Sequence, residues 1–262
     1  MTATLASPTT SAPAVPLRRP SLARLTMVEL RKLVDTRAGV WLMVAIVLSC
    51  IGFATIQLFA LDPALRRFEI FFLGTLLPIG ILLPVLGILT VTSEWSQRTA
   101  LTTFALVPAR SRVVGAKLAA GMIIALASLG ASGLIAAAVN LVAMAIGGDA
   151  AWGIGLAQVG AAAVMQLINV TMGIAFGMLL LNTPLAIVSY FVLPTIWSVL
   201  GGLVSWLATA ARWLDFSLTM APILNGATLT GQQWAQLGTT TAVWVVLPLL
   251  IGTLRVLRAE AP

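Results

Sequence analysis

Eight carboxylates are the acids this 262-residue chain could use for proton transfer: Glu29, Asp35, Asp62, Glu69, Glu94, Asp149, Asp215 and Glu260. General acid–base chemistry needs such a group, or a histidine, within reach of a reacting atom. Histidine is absent, which removes the commonest metal ligand and the side chain that titrates nearest neutral pH. The single thiol, Cys50, lies in an apolar run and has no second cysteine for a disulfide or a thiolate cluster. No Gly-x-x-x-x-Gly-Lys-Ser/Thr loop occurs, so any ATP the protein uses must be bound by another chain.

Placement narrows the chemistry further. None of the eight acids falls in the middle of a long apolar segment. Ion-coupled carriers usually keep an ionisable group at membrane depth, although backbone carbonyls can also bind sodium. Intramembrane proteases and lipid transferases need paired acids, a histidine or a metal. The chain supplies no such set, so it is not read as an enzyme, and no catalytic, cofactor or metal residue is assigned. The polar groups at depth are uncharged: Ser128, Ser132, Asn140, Gln166, Asn169, Thr171, Ser189, Tyr190 and Ser198. Each can bond between helices, worth about 0.6 kcal/mol on average. Gly173 and Gly177 form a Gly-x-x-x-Gly pair suited to close helix packing, within a subunit or between two.

The elements that must carry these residues follow from composition. Hydrophobic residues make up 60% of the chain and charged ones 9%, against about 25% charged in a soluble domain. A soluble core of this size could not hide so much apolar surface. The expected fold is all-α: a polytopic membrane protein with six transmembrane helices and an N-terminal amphipathic helix. Charge-free runs at 38–61, 70–93, 118–148, 150–211 and 216–254 set the spans. The long run at 150–211 divides at Leu181-Asn182-Thr183-Pro184. Predicted helices therefore cover about 39–60, 70–92, 116–146, 155–181, 184–206 and 237–255.

Three regions result. Residues 1–20, rich in Thr, Ser, Ala and Pro, read as a disordered tail without the apolar stretch of a secretory signal. Residues 21–37 read as an interfacial helix capped by Ser21. Leu22, Met27, Leu30, Leu33 and Val34 share one face, with Arg24, Arg31, Lys32 and Asp35 opposite. The alternative is a solvated extension of the first span. Residues 38–262 form the transmembrane domain.

Basic residues orient it. With a cytoplasmic N-terminus, Arg18, Arg19, Arg24, Arg31, Lys32, Arg37, Arg98, Arg110, Arg112, Lys117, Arg255 and Arg258 face inward. Only Arg66, Arg67 and Arg212 face outward. Both termini are expected in the cytoplasm of a multi-pass protein of the cell (inner or plasma) membrane. Trp41 and Trp95 at inner ends, and Trp152, Trp206, Trp213 and Trp234 at outer ends, fit an aromatic belt. The net charge of +7 is read as topology rather than as a nucleic-acid signal. Segment 207–236 is expected to form one or two short helices re-entering the outer leaflet, or else a loop packed on the helix ends. Pro78 and Pro84 should kink the second span. Tyr190, Pro194 and Trp197 leave the fifth open to the same two uses, cavity lining or packing.

The cytoplasmic loop 93–116 is the most specific segment. It reads Ser93-Glu94-Trp95-Ser96-Gln97-Arg98-Thr99-Ala100-Leu101, then an apolar stretch through Phe104 to Pro108, Arg110 and Arg112, with Lys117 just beyond. Ser93 could cap a short helix whose positive end holds Glu94. Leu101, Phe104 and Ala105 would give it an apolar knob. Such a helix suits docking into a partner's groove, though a solvated hairpin would satisfy topology alone. The segment resembles the coupling loop of ABC-2-type ABC transporter permeases. Glu94, Thr99, Pro108, Arg110 and Lys117 match that family's pattern, and Arg98 stands where glycine is common. Glu29-Leu30-Arg31-Lys32 is similar to the family's leading amphipathic helix.

The resemblance implies a transport subunit of an ATP-driven exporter. A second permease subunit, identical or different, would pair with it, and a separate ATP-binding cassette subunit would hold ATP and Mg. The ATPase-coupling residues would be Glu94, Arg98, Thr99, Leu101, Phe104, Pro108, Arg110, Arg112 and Lys117. Pro78, Pro84, Tyr190, Pro194 and Trp197 would border the path of a hydrophobic or amphipathic cargo such as a lipid, drug or natural product. Membrane lipids are the remaining partner, and nucleic acid is not one. Two alternatives stay open: a non-transporting scaffold or immunity protein, and, less favoured, an ion-coupled secondary transporter.

Overall fold

A computed structural model describes residues 20–107, 109–224 and 230–258. Its helices are α1 Leu22–Asp35, α2 Arg37–Ala60, α3 Phe68–Ser96, α4 Ala100–Leu106, α5 Arg110–Ala145, α6 Leu156–Leu180, α7 Thr183–Leu203, α8 Ala208–Leu214, α9 Phe216–Leu224, α10 Gly231–Thr241 and α11 Leu247–Arg258. No strand occurs among the described residues. A π-turn at Ala242–Val246 joins α10 to α11 without a break. Among the described residues, six helices are long and apolar enough to cross a bilayer: α2, α3, α5, α6, α7 and the continuous stretch Gly231–Arg258. The chain is thus the all-α, six-span membrane protein that its charge-free runs predict.

Three helix boundaries differ from expectation by four residues or more. α3 continues through Ser96, so Ser93 caps nothing and Glu94 lies in the last turn of the span. α5 starts at Arg110, which puts Lys117 two turns inside the helix rather than at its opening. The last span starts at Gly231 because Thr230 and Gln233 form a reciprocal cap. The Thr230 hydroxyl accepts the Gln233 N–H at 3.3 Å, and Gln233 Oε1 accepts the Thr230 N–H at 2.8 Å.

α1 begins where Ser21 Oγ accepts the Arg24 N–H at 3.2 Å. It ends at Thr36, whose hydroxyl accepts the Gly39 N–H at 3.3 Å and so opens α2. The elbow needs glycine at 39, since a Cβ there would lie 2.1 Å from the Leu33 carbonyl oxygen. The buried stripe of α1 is Thr26, Glu29 and Leu33, turned toward the bundle. Leu22, Met27 and Val34, from the expected apolar face, stay exposed.

α3 and α6 form the centre. Of their apolar windows 56% is buried, against 17% for α5 and for α7. Ile79, Leu83 and Leu86 of α3 pack with Val170, Ile174 and Met178 of α6. The Gly173–Gly177 pair works within the subunit: a Cβ at 173 would stand 2.4 Å from the Pro84 carbonyl oxygen, and one at 177 would stand 3.1 Å from that of Ile88.

At the end away from α1, two loops are stitched together. The backbone N–H groups of Asp149, Ala150 and Phe68 donate to the carbonyls of Pro63, Arg66 and Ala151. Arg67 pairs with Asp149 at 2.6 Å. Segment 207–236 forms α8 and α9 and enters α10. Asp215 is buried because it caps α9, accepting the Ser217 and Leu218 N–H groups at 2.8 and 3.0 Å. Trp244 Nε1 and the Thr240 hydroxyl, on the last span, donate to the Leu214 and Trp213 carbonyls. Asn225 and Gly226 lie outside the described residues.

Candidate functional site

α3 leaves the bundle through a tight corner. The Gln97 N–H donates to the Ser93 carbonyl, that of Arg98 to Trp95, and that of Thr99 to Glu94. The last two bonds are the paired closures of a helix end that needs one left-handed residue. Arg98 is that residue, with φ of 57°. Glycine takes this conformation without a Cβ penalty, so the turn forms here despite a side chain that disfavours it. Left-handed backbone costs a non-glycine residue about 1–2 kcal/mol, partly offset here because glycine is more flexible when unfolded. Arg98→Gly should therefore stabilise the protein by about 0.5–1 kcal/mol, and Arg98→Val should destabilise it. Thermal midpoints of the purified variants measure both.

Thr99 then precedes the seven-residue α4. Leu101, Thr102, Ala105 and Leu106 are exposed on it, Leu106 to 75%. Phe104 belongs to α4, but its side chain lies outside the described residues, as does Pro108.

Beneath α4, its two flanking spans and α1 meet in a four-charge cluster. Lys117 Nζ of α5 lies 2.7 Å from Glu29 Oε2 of α1 and 3.1 Å from Glu94 Oε1 of α3. It also donates to the Thr90 carbonyl at 2.6 Å. Lys32 Nζ lies 2.8 Å from Glu29 Oε1 and 2.5 Å from Glu94 Oε1. Each lysine thus bridges both glutamates, and the two positive and two negative charges cancel. Glu29, Glu94 and Lys117 are buried, with side chains only 5–7% exposed, while Lys32 stays 38% exposed. Burial works against the Lys32 charge, but Glu29 and Glu94 together outweigh it and hold this ammonium above the usual lysine range. Its contribution is therefore complete below the ordinary lysine pKa and fades only as pH rises through the higher folded value. Carboxylates saturated by ammonium groups suit a mechanical joint better than proton transfer.

Glu94 and Lys117 are thus brought into contact, whereas Arg110 and Arg112 serve elsewhere. Arg110 donates to the Val256 and Leu257 carbonyls at the end of α11, both at 3.2 Å. Arg112 donates to the Pro20 carbonyl at 3.2 Å. These bonds place both ends of the described chain at the base of α5. Thr183 Oγ1 of α7 donates to Thr92 Oγ1 of α3 at 2.7 Å, and Arg255 donates to the Leu179 carbonyl. The same end of every span but α2 is thereby tied to a neighbour by a side-chain bond.

The other singled-out residues lie higher in the bundle. Pro84 is buried against α6, and Pro78 is half-buried on α3. Tyr190 is buried; its hydroxyl donates to Asn169 Oδ1 at 3.4 Å, and its ring meets Phe176 and Phe191 edge-on. Pro194 and Trp197 are half-buried on α7, and the Trp197 Nε1 is buried without a hydrogen-bond partner among the described residues.

The pairing of Glu29 with Lys32 escapes a sequence reading that sets Lys32 on the polar face of an interfacial helix and gives Glu29 no partner. The available signal was their spacing of three on a helix with an otherwise unexplained acid. Beside the cluster, a cleft of about 710 Å³ lies between α1, the end of α3, α4 and the base of α5. No protein-family model matches the chain, and no curated protein matches it.

Proposed function

We propose that the chain is the membrane subunit of an ATP-driven exporter of the ABC-2 type. It would pair with a second permease subunit and engage separate ATPase subunits, which supply ATP and Mg. The observation that carries this reading is the construction around α4. A short helix with exposed Leu101 and Leu106 stands off the bundle, and its flanking spans are locked together and to α1 by a buried charge cluster. A push on α4 therefore reaches α3 and α5 as one body instead of being absorbed in a loop.

The basic end of the bundle, with both termini, is cytoplasmic in this reading, as the bias of Arg and Lys requires. Pro78, Pro84, Tyr190, Pro194 and Trp197 are the candidate path positions. With acids at neither of the two helix centres they occupy, the cargo is hydrophobic or amphipathic, moved outward. Glu94, Lys117, Glu29 and Lys32 act as positioning residues, and Leu101 and Phe104 as the docking surface.

Charge insertion separates this from a scaffold that needs no ATPase. Phe104→Glu or Leu101→Glu should abolish co-purification with the ATPase subunit while leaving membrane insertion and the thermal midpoint unchanged. Full co-purification and ATP hydrolysis with either variant would remove the docking assignment.

A further inference from the structure

We propose that the cleft between α1 and α4 binds an acidic phospholipid from the leaflet at the basic end of the bundle. The volume, about 710 Å³, falls in the range of small-ligand sites, about 300–1,000 Å³. Its walls are of two kinds. Leu25, Val28, Leu106 and Val107 supply apolar surface, while the Thr102 and Thr103 hydroxyls and the cations Arg24 and Lys32 supply donors. A phosphate with acyl chains matches both.

Three observations favour a lipid over a protein segment. Val28 and Leu106 line the cleft and yet remain exposed, so its mouth opens onto the outside of the bundle. Leu22, Met27 and Val34, exposed apolar residues of α1 that do not line the cleft, also need hydrocarbon against them, which sets this helix at the lipid surface. Arg24 is exposed, and its guanidinium has no hydrogen-bond or ion-pair partner among the described residues. It lines the cleft, where a phosphate would meet it, and Lys32, about two turns further along α1, retains a partly exposed ammonium in the same cleft. The buried glutamates bring no net negative charge, because the two lysines neutralise them. The proposal rests on the membrane reading of the chain and not on an ATPase partner.

Native mass spectrometry of the full-length, delipidated protein in detergent tests it, with phosphatidylglycerol and phosphatidylcholine of matched chains as probes. The first lipid bound should be phosphatidylglycerol, preferred by about fivefold or more, the effect of roughly one basic residue near a lipid phosphate. Arg24→Gln should remove that preference. Arg31→Gln, an exposed cation on the same helix that does not line the cleft, should keep it. Val28→Trp, which fills the cleft from an exposed position, should abolish the first site for both lipids. Equal losses from the two arginine variants, or undiminished binding with Val28→Trp, would overturn the site. Displacement by inorganic phosphate alone would show an anion site and overturn the lipid.

Discussion

Lys117→Met should destabilise the protein by about 3–5 kcal/mol and release α1 from the base of the bundle, the usual consequence of removing one partner from a buried ion pair. Lys117 is the cation that donates to Glu29 Oε2, at 2.7 Å, and its side chain is 5% exposed. Without it, Lys32 alone must serve both glutamates from a position where solvent already competes. A buried carboxylate left half-compensated must take up a proton or draw in water, and either loosens the packing of α1 on α5. Lys117→Arg keeps the charge, but its planar fork does not fit a site built for a compact ammonium that also reaches the Thr90 carbonyl, so it should fall between the two.

The second half of this prediction separates stability from mechanics. Replacing Glu29, Lys32, Glu94 and Lys117 together by apolar residues of similar size should restore most of the lost stability, because the desolvation penalty disappears with the charges. Under the exporter proposal, ATP-driven transport should not recover with it, since no directional bonds would then tie α1, α3 and α5. Thermal midpoints in detergent and protease sensitivity at the α1–α2 elbow read the first quantity. Transport in reconstituted vesicles reads the second. Recovery of both would mean that the cluster is only a packing solution.

The difference between what could and could not be read from the sequence has a physical basis. Spans are local: a charge-free run of sufficient length must satisfy its own backbone as a helix in lipid. The six helices follow from 38–61, 70–93 and their successors. Ser21 as a cap is equally local, set within three residues. Helix ends outside the apolar runs are not. Arg110 continues α5 beyond its run because its guanidinium finds the Val256 and Leu257 carbonyls, some 146 residues away. The cluster is harder still, since Glu94 and Lys32 are 62 residues apart and Glu29 and Lys117 are 88 apart. A charge on an amphipathic helix looks solvated until the partner on another element is known. The left-handed Arg98 is an intermediate case. The resemblance marks the position as one for glycine, but only the backbone shows that the turn survives the substitution.

Gly173→Leu should prevent the bundle from assembling, and Gly173→Ala should cost about 1–3 kcal/mol, the range for overpacking a filled core. The argument rests on what a Cβ would meet. At 173 it would lie 2.4 Å from the Pro84 carbonyl oxygen and 3.0 Å from the Pro84 Cα, both backbone atoms that cannot swing aside. α3 and α6 would have to separate along the contact that buries Ile79, Leu83, Val170 and Ile174. A proline at the contact sharpens the constraint, because its ring fixes φ and leaves the chain little freedom to yield. Gly202 on α7 supplies the control, for a Cβ there meets nothing within 4 Å. Gly202→Ala should leave stability unchanged or raise it by up to about 1 kcal/mol, the helix-propensity difference between the two residues. Size-exclusion profiles and thermal midpoints of the three variants would separate the steric cost of one interface from the general effect of glycine in a helix. A Gly173→Ala protein as stable as Gly202→Ala would mean that α3 and α6 are not in contact at Pro84. It would also remove the rigid link between the core and the charge cluster at the end of α3.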